Sequence, residues 1–400
     1  MRTDPHPAHR MTGRLSRCLA PVGALLLLVV ACAPEEEPGE PTTDPEPVEE
    51  PVEEPAEEPE EEVEAYYEGR TIEIVVPASP GGGADSTAQL MAPFLERHVP
   101  GNPTVLVVHE PGGAGIPGSN DYVLNREPNG ESILFTFPTN TIQFLVGQAA
   151  VQYDLTEMEP ITAFPNGSII YVSPETGIEE PADLLDPAVP LIYGDTSAVG
   201  FGMVNLLMFE VLGLRDDIQQ IFGYEGGGDT RLAFERGELS MDALTSIAYL
   251  SAGVELEEEG IAVPVFSAGS LDADGELQRD LVFGQLPSVR EVHVELYGEE
   301  PSGEAWDVFL EVMAFVGSGG FSMTTHGDTP PEALEALRGA IPDIIADPEF
   351  AEAAEGVIGE YYPLVGDEFE AYRRGLGDLD PASVEWMRNF LIEEYDADLD

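Results

Sequence analysis

Three glycine-bearing turns each follow an apolar stretch and precede a segment with helical periodicity, at residues 77–85, 193–202 and 224–230. Glycines at the start of a helix leave backbone N–H groups without a hydrogen-bond partner. These N–H groups and the positive end of the helix dipole both attract anions. The second turn adds the hydroxyls of Thr196 and Ser197, which can donate hydrogen bonds to a carboxylate. One such turn alone is equally well explained as a tight chain reversal. Three together favour a site for a small solute that bears several carboxylates.

The residues that we expect to contact this acid lie on the three turns and at two further strand ends. Asp85 has a second interpretation as the N-cap of the helix, in which it would fix the loop from behind. Thr139 and Thr245 are included because they follow other predicted strands. The complete predicted set is Ser79, Gly81, Gly82, Gly83, Asp85, Thr139, Thr196, Ser197, Gly200, Gly226, Gly227, Gly228 and Thr245.

A nucleotide site is the main alternative chemistry. Residues 112–118 contain the spacing Gly-x-Gly-x-x-Gly after a strand, which is typical of dinucleotide-binding folds. Those folds need an acidic residue at the end of the next strand, but residues 135–140 hold none, and Pro117 lies inside the motif. A Walker loop needs a lysine, and the chain has none. We therefore expect no cofactor.

The sequence carries no signature of catalysis. His98, His109, His293 and His326 are isolated and lack the spacing of metal ligands, and no Gly-x-Ser-x-Gly nucleophile motif occurs. Runs of acids such as 257–259 are expected by chance at this acid density. The prediction is a binding protein without a metal. An exported carboxylate-processing enzyme is the alternative, and a structural or ligand-sensing surface lipoprotein is a third interpretation.

The elements that must position the turns alternate between short apolar strands and amphipathic helices. This alternation predicts open α/β sheets, whose ligand sites lie at the carboxyl ends of the strands. Pro93 should kink its helix or mark an irregularity. The predicted strands are 71–78, 104–110, 131–137, 168–174, 190–196 and 218–226, and the predicted helices are 85–99, 118–126, 201–213, 230–239, 303–317, 330–350 and 367–379.

The first 65 residues are expected to lie outside the fold. Residues 1–32 hold four arginines and then an apolar stretch at 19–31, which ends in Val-Val-Ala-Cys. This pattern resembles a bacterial lipobox and predicts a signal peptide, with Cys32 as the lipidated first residue of the mature chain. An ordinary cleaved signal is the alternative. Residues 33–65 are rich in proline and glutamate, and they predict a disordered, extended linker.

The charge excludes several classes of partner. The chain has 77 acidic residues against 16 basic ones, all arginine, and its formal net charge is −61. Beyond residue 65 the balance is 60 acids to 12 arginines, a net charge of about −48. Such a surface repels nucleic acid and anionic lipid. Because salt screens the self-repulsion, the composition also indicates a halophile.

At residues 72–96 the sequence resembles the opening of the substrate-binding proteins of tripartite tricarboxylate transporters, the TctC or Bug type. The family motif Pro-x-x-Pro-Gly-Gly-x-x-Asp reads here as residues 77–85. Residues 110–123 match a second family segment, with Glu110 where arginine is usual. The remaining family segments follow in order to about residue 380.

This resemblance implies an α/β, periplasmic-binding-protein-like (type II) Venus flytrap, in which two α/β domains and a hinge enclose a central cleft. Domain 1 should comprise residues 66–165 and 288–400, and domain 2 residues 166–287. The function implied is that of an extracytoplasmic lipoprotein anchored through Cys32. It would deliver a di- or tricarboxylate, or a similar acid, to the permease subunits of such a transporter. We expect a monomer. Residues 290–325 are longer than the family core, so the ligand is not inferred from relatives.

Overall fold

The computed structural model describes residues 65–399, apart from residues 273–274 and 376–378. The predicted signal peptide, Cys32 and the predicted linker up to residue 64 lie outside the described residues. Within the described part, the chain forms two five-stranded sheets and a two-stranded ribbon, with helices packed against the sheets.

The strands are short, and most of them are apolar. In chain order they are β1 (Thr71–Val76), β2 (Thr104–His109), β3 (Ser132–Thr136), β4 (Glu159–Phe164), β5 (Ser168–Val172), β6 (Leu191–Asp195), β7 (Ile218–Phe222), β8 (Met241–Thr245), β9 (Val263–Ser267), β10 (Ser270–Leu271), β11 (Leu277–Gln278) and β12 (Phe321–Thr325).

The helices follow most of the strands. They are α1 (Gly83–His98), α2 (Ile116–Asn125), α3 (Pro138–Leu145), α4 (Phe201–Val211), α5 (Gly227–Glu235), α6 (Ser246–Ala248), α7 (Val254–Glu258), α8 (Val289–Tyr297), α9 (Glu304–Gly319), α10 (Pro331–Ala346), α11 (Pro348–Glu355), α12 (Gly366–Gly375) and α13 (Pro381–Tyr395). Among the described residues, no helix is both long and apolar enough to cross a membrane.

The first sheet has the strand order β2-β1-β3-β12-β4. β1 pairs in parallel with β2 and β3, whereas β12 lies antiparallel between β3 and β4. Ile72, Ile74, Val75 and Val76 of β1 are fully buried, as expected for a parallel strand that is covered on both faces. A strand from late in the chain thus completes a sheet that the early residues begin.

The second sheet has the order β7-β6-β8-β5-β9. β6 pairs in parallel with β7 and β8, and β5 lies antiparallel to β8 and β9. The chain passes from the first sheet to the second between β4 and β5, through residues 165–167 alone. The loops at the carboxyl ends of β1, β3, β6, β7 and β8 all reach one cavity, which is where α/β sheets bind their ligands.

Two large hydrophobic clusters support the sheets. One combines β1, β3 and β4 with α1, α10 and α11. The other combines β5, β6 and α4 with side chains from the C-terminal part of the chain, including Val292 of α8, Phe309 of α9 and Phe390 of α13. Several C-terminal helices therefore pack on the second sheet.

Most of the sequence-based element predictions are confirmed, with boundaries that shift by a few residues. The predicted extra helix at 303–317 is α9. The single helix predicted at 330–350 was wrong: α10 ends before Asp347, whose side chain caps a new helix with Pro348 in its first turn. We expect a kink or an irregularity at Pro93. In the structure α1 runs without interruption from Gly83 to His98, so Pro93 does not break the helix. Pro93 lies on its exposed face.

Candidate functional site

A cavity of about 300 Å³ lies between the loops of the two sheets. From the side of the first sheet it is lined by residues 77–84, by the turn at 112–115, by residues 137–139 and by Phe321. From the side of the second sheet it is lined by residues 194–196 and 225–232, together with the end of β8. Its volume is at the lower end of the range for small-molecule sites.

The loop between β1 and α1 presents unpaired backbone donors to this cavity. Gly82 is the N-cap of α1, and no side chain caps the helix. Its first helical hydrogen bond runs from the Ser86 N–H to the Gly82 carbonyl, at 3.0 Å. The N–H groups of Gly83 and Ala84, which line the cavity, therefore have no partner within the helix. They can donate hydrogen bonds to an anion at the positive end of the helix dipole.

Asp85 braces this loop from outside the cavity. Its Oδ2 accepts a hydrogen bond of 2.8 Å from the Gly81 N–H, and its Oδ1 lies 2.8 Å from Nε2 of His109 at the end of β2. Gly81 has a φ of +90°, a left-handed conformation that favours glycine. Asp85 is thus the third residue of α1 and reaches back to the residue before the N-cap. The N-cap itself is Gly82, not Asp85.

The loop between β7 and α5 repeats the arrangement from the second sheet. Gly226 is the N-cap of α5, again without a side-chain cap. Its carbonyl accepts hydrogen bonds from the N–H groups of Asp229 and Thr230, at 2.9 and 3.2 Å. Gly227 and Gly228 line the cavity, and their N–H groups lack a partner within the helix. The two sheets therefore each direct one glycine-rich helix N-terminus into the same space.

The loop between β6 and α4 contributes less to the cavity than the sequence predicts. Thr196 lines it, but the Ser197 hydroxyl accepts the Val199 N–H at 3.0 Å, and Gly200 is the N-cap of α4. The first N–H of α4, at Phe201, donates to the Thr139 hydroxyl across the cavity edge, at 3.2 Å. This helix N-terminus is therefore closed by a threonine from the first sheet's side.

Ten of the thirteen predicted residues line the cavity, namely Ser79, Gly81, Gly82, Gly83, Thr139, Thr196, Gly226, Gly227, Gly228 and Thr245. The other three, Asp85, Ser197 and Gly200, lie behind it and hold its loops. Thr245, like Thr139, already accepts one hydrogen bond, from the Ala248 N–H at 3.2 Å. Each of these two hydroxyls keeps its proton for a ligand oxygen.

A buried polar network supports the β6 loop. The Tyr193 hydroxyl and the Thr196 N–H both donate to the Asp195 carboxylate, and the Asn205 amide donates to the Tyr193 oxygen at 2.8 Å. Burial raises the pKa of Asp195 to about 6. On the neighbouring strand, burial raises the pKa of Asp242 to about 7, although Tyr171 donates to it at 2.5 Å. Asp195 thus holds the β6 loop and also lies at the cavity wall, whereas Asp242 links β8 to β5.

Sequence reasoning missed most of the apolar lining. Phe137, Phe201, Phe321 and Leu232 line the cavity, as does Arg231. Phe137 is the last residue of a predicted strand and Phe201 the first of a predicted helix, so their places beside the predicted strand end and glycine turn offered a signal. Phe321 offered none, because its strand joins the first sheet from far along the chain.

The two sides of the cavity also approach each other closely at Gly83. A Cβ built on Gly83 would lie 2.9 Å from the Thr245 hydroxyl oxygen and 2.9 Å from the Phe321 ring. Separations below 3.0 Å are tighter than real Cβ contacts. Gly83 therefore allows the α1 N-terminus to approach the end of β8.

The glycine motif at 112–118 has a packing role. A Cβ on Gly118 would lie 2.7 Å from the Glu110 carbonyl, and one on Gly115 would lie 3.0 Å from both the Phe137 ring and the Pro77 carbonyl. The spacing thus brings α2 close to the β1 and β2 ends. Within the described residues, no group of three or more His, Cys, Asp or Glu side chains is placed to hold a metal ion.

Comparison with solved structures establishes the fold. The chain is similar to the periplasmic binding protein BugD, with 16% identity, coverage of 82% of this chain and 98% of that chain, and a TM-score of 0.61. MatC from Rhodopseudomonas palustris with bound malate has 13% identity, coverages of 80% and 98%, and a TM-score of 0.59.

A TctC solute-binding protein from Polaromonas has 17% identity, coverages of 82% and 99%, and a TM-score of 0.53. A scan against protein-family models gave no match, and neither did a search of curated proteins. At these identities the similarity is one of fold, and it confirms the predicted class, an α/β periplasmic-binding-protein fold with two lobes.

Proposed function

We propose that this protein is an extracytoplasmic solute-binding protein of the TctC or Bug type, which captures a small organic acid for a tripartite tricarboxylate-type transporter. One observation carries the proposal: α1 and α5, from opposite sides of one cavity, both begin there at glycines without a side-chain cap. The fold is shared with the periplasmic binding protein BugD and with MatC, which was solved with bound malate.

The proposed ligand carboxylate sits between the two helix N-termini. The N–H groups of Gly83, Gly227 and Gly228 face it as donors, and the hydroxyls of Thr196 and Thr245 are within the same lining. Hydrogen bonds to a charged group contribute about 1.5–3 kcal/mol each, so two or three of them offset the desolvation of one carboxylate. Backbone donors achieve this without adding a cation to the site.

We further propose that the lobes are discontinuous, with residues 66–165 and 288–400 opposite residues 166–287. The strand content of the two sheets supports this division, because β12 lies in the first sheet. Helices α8, α9 and α13 nevertheless pack on the second sheet's cluster, so the C-terminal segment bridges both lobes. Closure on a ligand should then reduce the radius of gyration measured by small-angle X-ray scattering. Identical curves with and without ligand would contradict a hinge.

The anchoring proposal rests on sequence alone. A signal peptide over residues 1–32, lipidation at Cys32 and an acidic linker at 33–65 would tether the binding lobes outside the cell membrane, beside the permease subunits. Fractionation of cells that express the protein and a Cys32→Ser variant tests this. We expect the wild type in the membrane fraction and the variant in the soluble extracytoplasmic fraction, and equal distribution would exclude the anchor.

Calorimetry on a single backbone donor tests the binding function. Gly227→Pro removes one N–H at the first position of α5, where proline is tolerated, and the extended Gly226 before it suits a proline. We expect affinity for a bound acid to fall at least tenfold, which is about 1.4 kcal/mol. Glu304→Pro, at the first position of α9 and away from the cavity, is the matched control.

Native mass spectrometry of the purified protein identifies any acid that remains bound. Incubation with a panel of carboxylates then separates binding from catalysis. An acid recovered unchanged supports the proposal, whereas its conversion to a product would establish the exported enzyme instead. Unchanged affinity in Gly227→Pro would place the site elsewhere.

A further inference from the structure

The walls of the cavity are mainly apolar away from the glycine turns. Phe137 and Phe201 are half-buried and Leu232 is 38% exposed, all three at the cavity lining. The lining also includes the buried side chains of Leu244 and Phe321. Partly exposed aromatic and aliphatic side chains inside a cleft provide a surface for the hydrocarbon part of a ligand.

The charges at the cavity oppose a second or third carboxylate. Glu225 and Asp229 are exposed at the lining, and Asp195 lies in the wall. Arg231 is the one basic side chain in the lining formed by the described residues, and it already pairs with Glu235 at 2.5 Å. The helix N-termini can compensate a single anionic group, but further carboxylates would share the cavity with the negative charges of Glu225 and Asp229.

From this combination we infer that the ligand is a carboxylic acid with an apolar body, such as an aromatic or alicyclic monocarboxylate, rather than a compact di- or tricarboxylate. The inference rests on the proposed function and narrows its ligand class. The carboxylate meets the N-termini of α1 and α5, and the hydrocarbon body lies against Phe137, Phe201 and Leu232. Burial of that body contributes the affinity that additional carboxylates would supply in a more basic site.

Calorimetry with benzoate, cyclohexanecarboxylate, succinate and citrate, at one fixed concentration of potassium chloride, tests the ligand class. We expect the two monocarboxylates to bind at least tenfold more tightly than succinate, and citrate to bind most weakly. Their binding should also show a negative heat-capacity change, the marker of apolar burial. Tighter binding of succinate or citrate would overturn this inference and leave the proposed function intact. Binding of none of the four would overturn this inference, and the acid recovered by native mass spectrometry then decides the proposed function.

Two variant pairs separate the apolar and the electrostatic arguments. Leu232→Ser should weaken cyclohexanecarboxylate at least threefold, whereas Leu124→Ser, at a leucine that is 60% exposed on α2, should leave it unchanged. Glu225→Gln/Asp229→Asn should strengthen succinate binding more than benzoate binding.

Glu258→Gln/Glu259→Gln removes the same two charges at exposed positions away from the lining and is the control for long-range effects. Equal effects of the two double variants, or of the two leucine variants, would contradict the assigned contacts even where a monocarboxylate binds.

Discussion

The carboxylate of Asp85 lies 2.8 Å from Nε2 of His109 and couples the first turn of α1 to the end of β2. The same carboxylate accepts the Gly81 N–H, so three backbone segments meet at one side chain outside the cavity. The side chains of Asp85 and His109 are only 14% and 21% exposed. The loop that directs backbone donors to the cavity is therefore held from behind by an acid that does not itself line the cavity.

Removal of this brace should weaken ligand binding without removing a ligand contact. In Asp85→Ala, the Gly81 N–H loses its charged acceptor, and we expect unfolding free energy to fall by about 1–3 kcal/mol. Affinity for the bound acid should fall about tenfold, because the loop loses its fixed position. Urea denaturation and calorimetry measure the two effects. Asp121→Ala, on α2, is the control, and wild-type affinity in Asp85→Ala would show that the brace is dispensable.

The buried acid Asp242 should make stability fall as the pH rises. Burial raises its pKa from 3.8 to about 7, so the folded protein holds this proton more tightly than the unfolded chain. The stabilisation is complete below pH 4 and is lost as the pH approaches 7, by at most about 1.4 kcal/mol per pH unit.

Comparison with Asp242→Asn isolates this contribution from the other acids. Between pH 5 and pH 8, the unfolding free energy of the wild type should fall by roughly 2 kcal/mol relative to the variant. Urea denaturation at four pH values measures the difference. Asp121→Asn, at an exposed position, should track the wild type at every pH. A constant difference between wild type and Asp242→Asn would mean that Asp242 has an ordinary pKa in the folded protein.

Salt should stabilise the folded chain. The net charge of about −48 beyond residue 65 repels itself in the compact state, and ions screen this repulsion within about 3 Å at 1 M. Screening also weakens exposed ion pairs such as Arg97–Glu349, but each of these contributes little. The melting temperature should therefore rise from low to molar potassium chloride. A flat or falling melting temperature would remove the argument for a salt-rich habitat.

The sequence predicted the local elements well, because apolar runs between glycine and proline residues mark strands such as β1 and β6. It did not predict β12, whose partners β3 and β4 lie more than 150 residues earlier. Pairing over such a separation depends on tertiary packing and leaves no local pattern. The consequence for the site is concrete, since β12 brings Phe321 into the cavity lining.

The glycine turns were predictable because a helix that begins at a glycine has a local signature. The direction in which a side chain points was not predictable from the sequence. Ser197 has the right type for a ligand contact, but its hydroxyl accepts the Val199 N–H. Gly200 was predicted from the same loop. It allows a close approach of the backbone to Thr139, because a Cβ on Gly200 would lie 2.7 Å from Thr139 Cγ2. The contact at Gly200 depends on Thr139 from the other side of the cavity, which sequence spacing does not encode, whereas the Ser197 contact forms within its own loop.

Two adjacent glycines, Gly82 and Gly83, give the sharpest test of how the lobes meet. A Cβ on Gly82 would meet no atom within 4 Å, and its φ of −94° suits any residue. A Cβ on Gly83 would collide with the Thr245 hydroxyl and the Phe321 ring. Gly83→Ala should therefore hold the α1 N-terminus away from β8 and lower ligand affinity at least tenfold, about 1.4 kcal/mol.

Gly82→Ala is the matched control, since it adds the same methyl group one residue earlier and should change affinity less than threefold. Calorimetry gives the affinities, and small-angle scattering with ligand present shows whether the Gly83→Ala protein stays more open than the control. A third variant, Gly83→Ala/Thr245→Ser, removes the methyl group of Thr245 but keeps the hydroxyl that receives the Ala248 N–H. It should recover little affinity, because the clashing Oγ1 and Phe321 remain. Equal affinity of Gly82→Ala and Gly83→Ala would show that the contact across the cavity does not form in the ligand-bound protein.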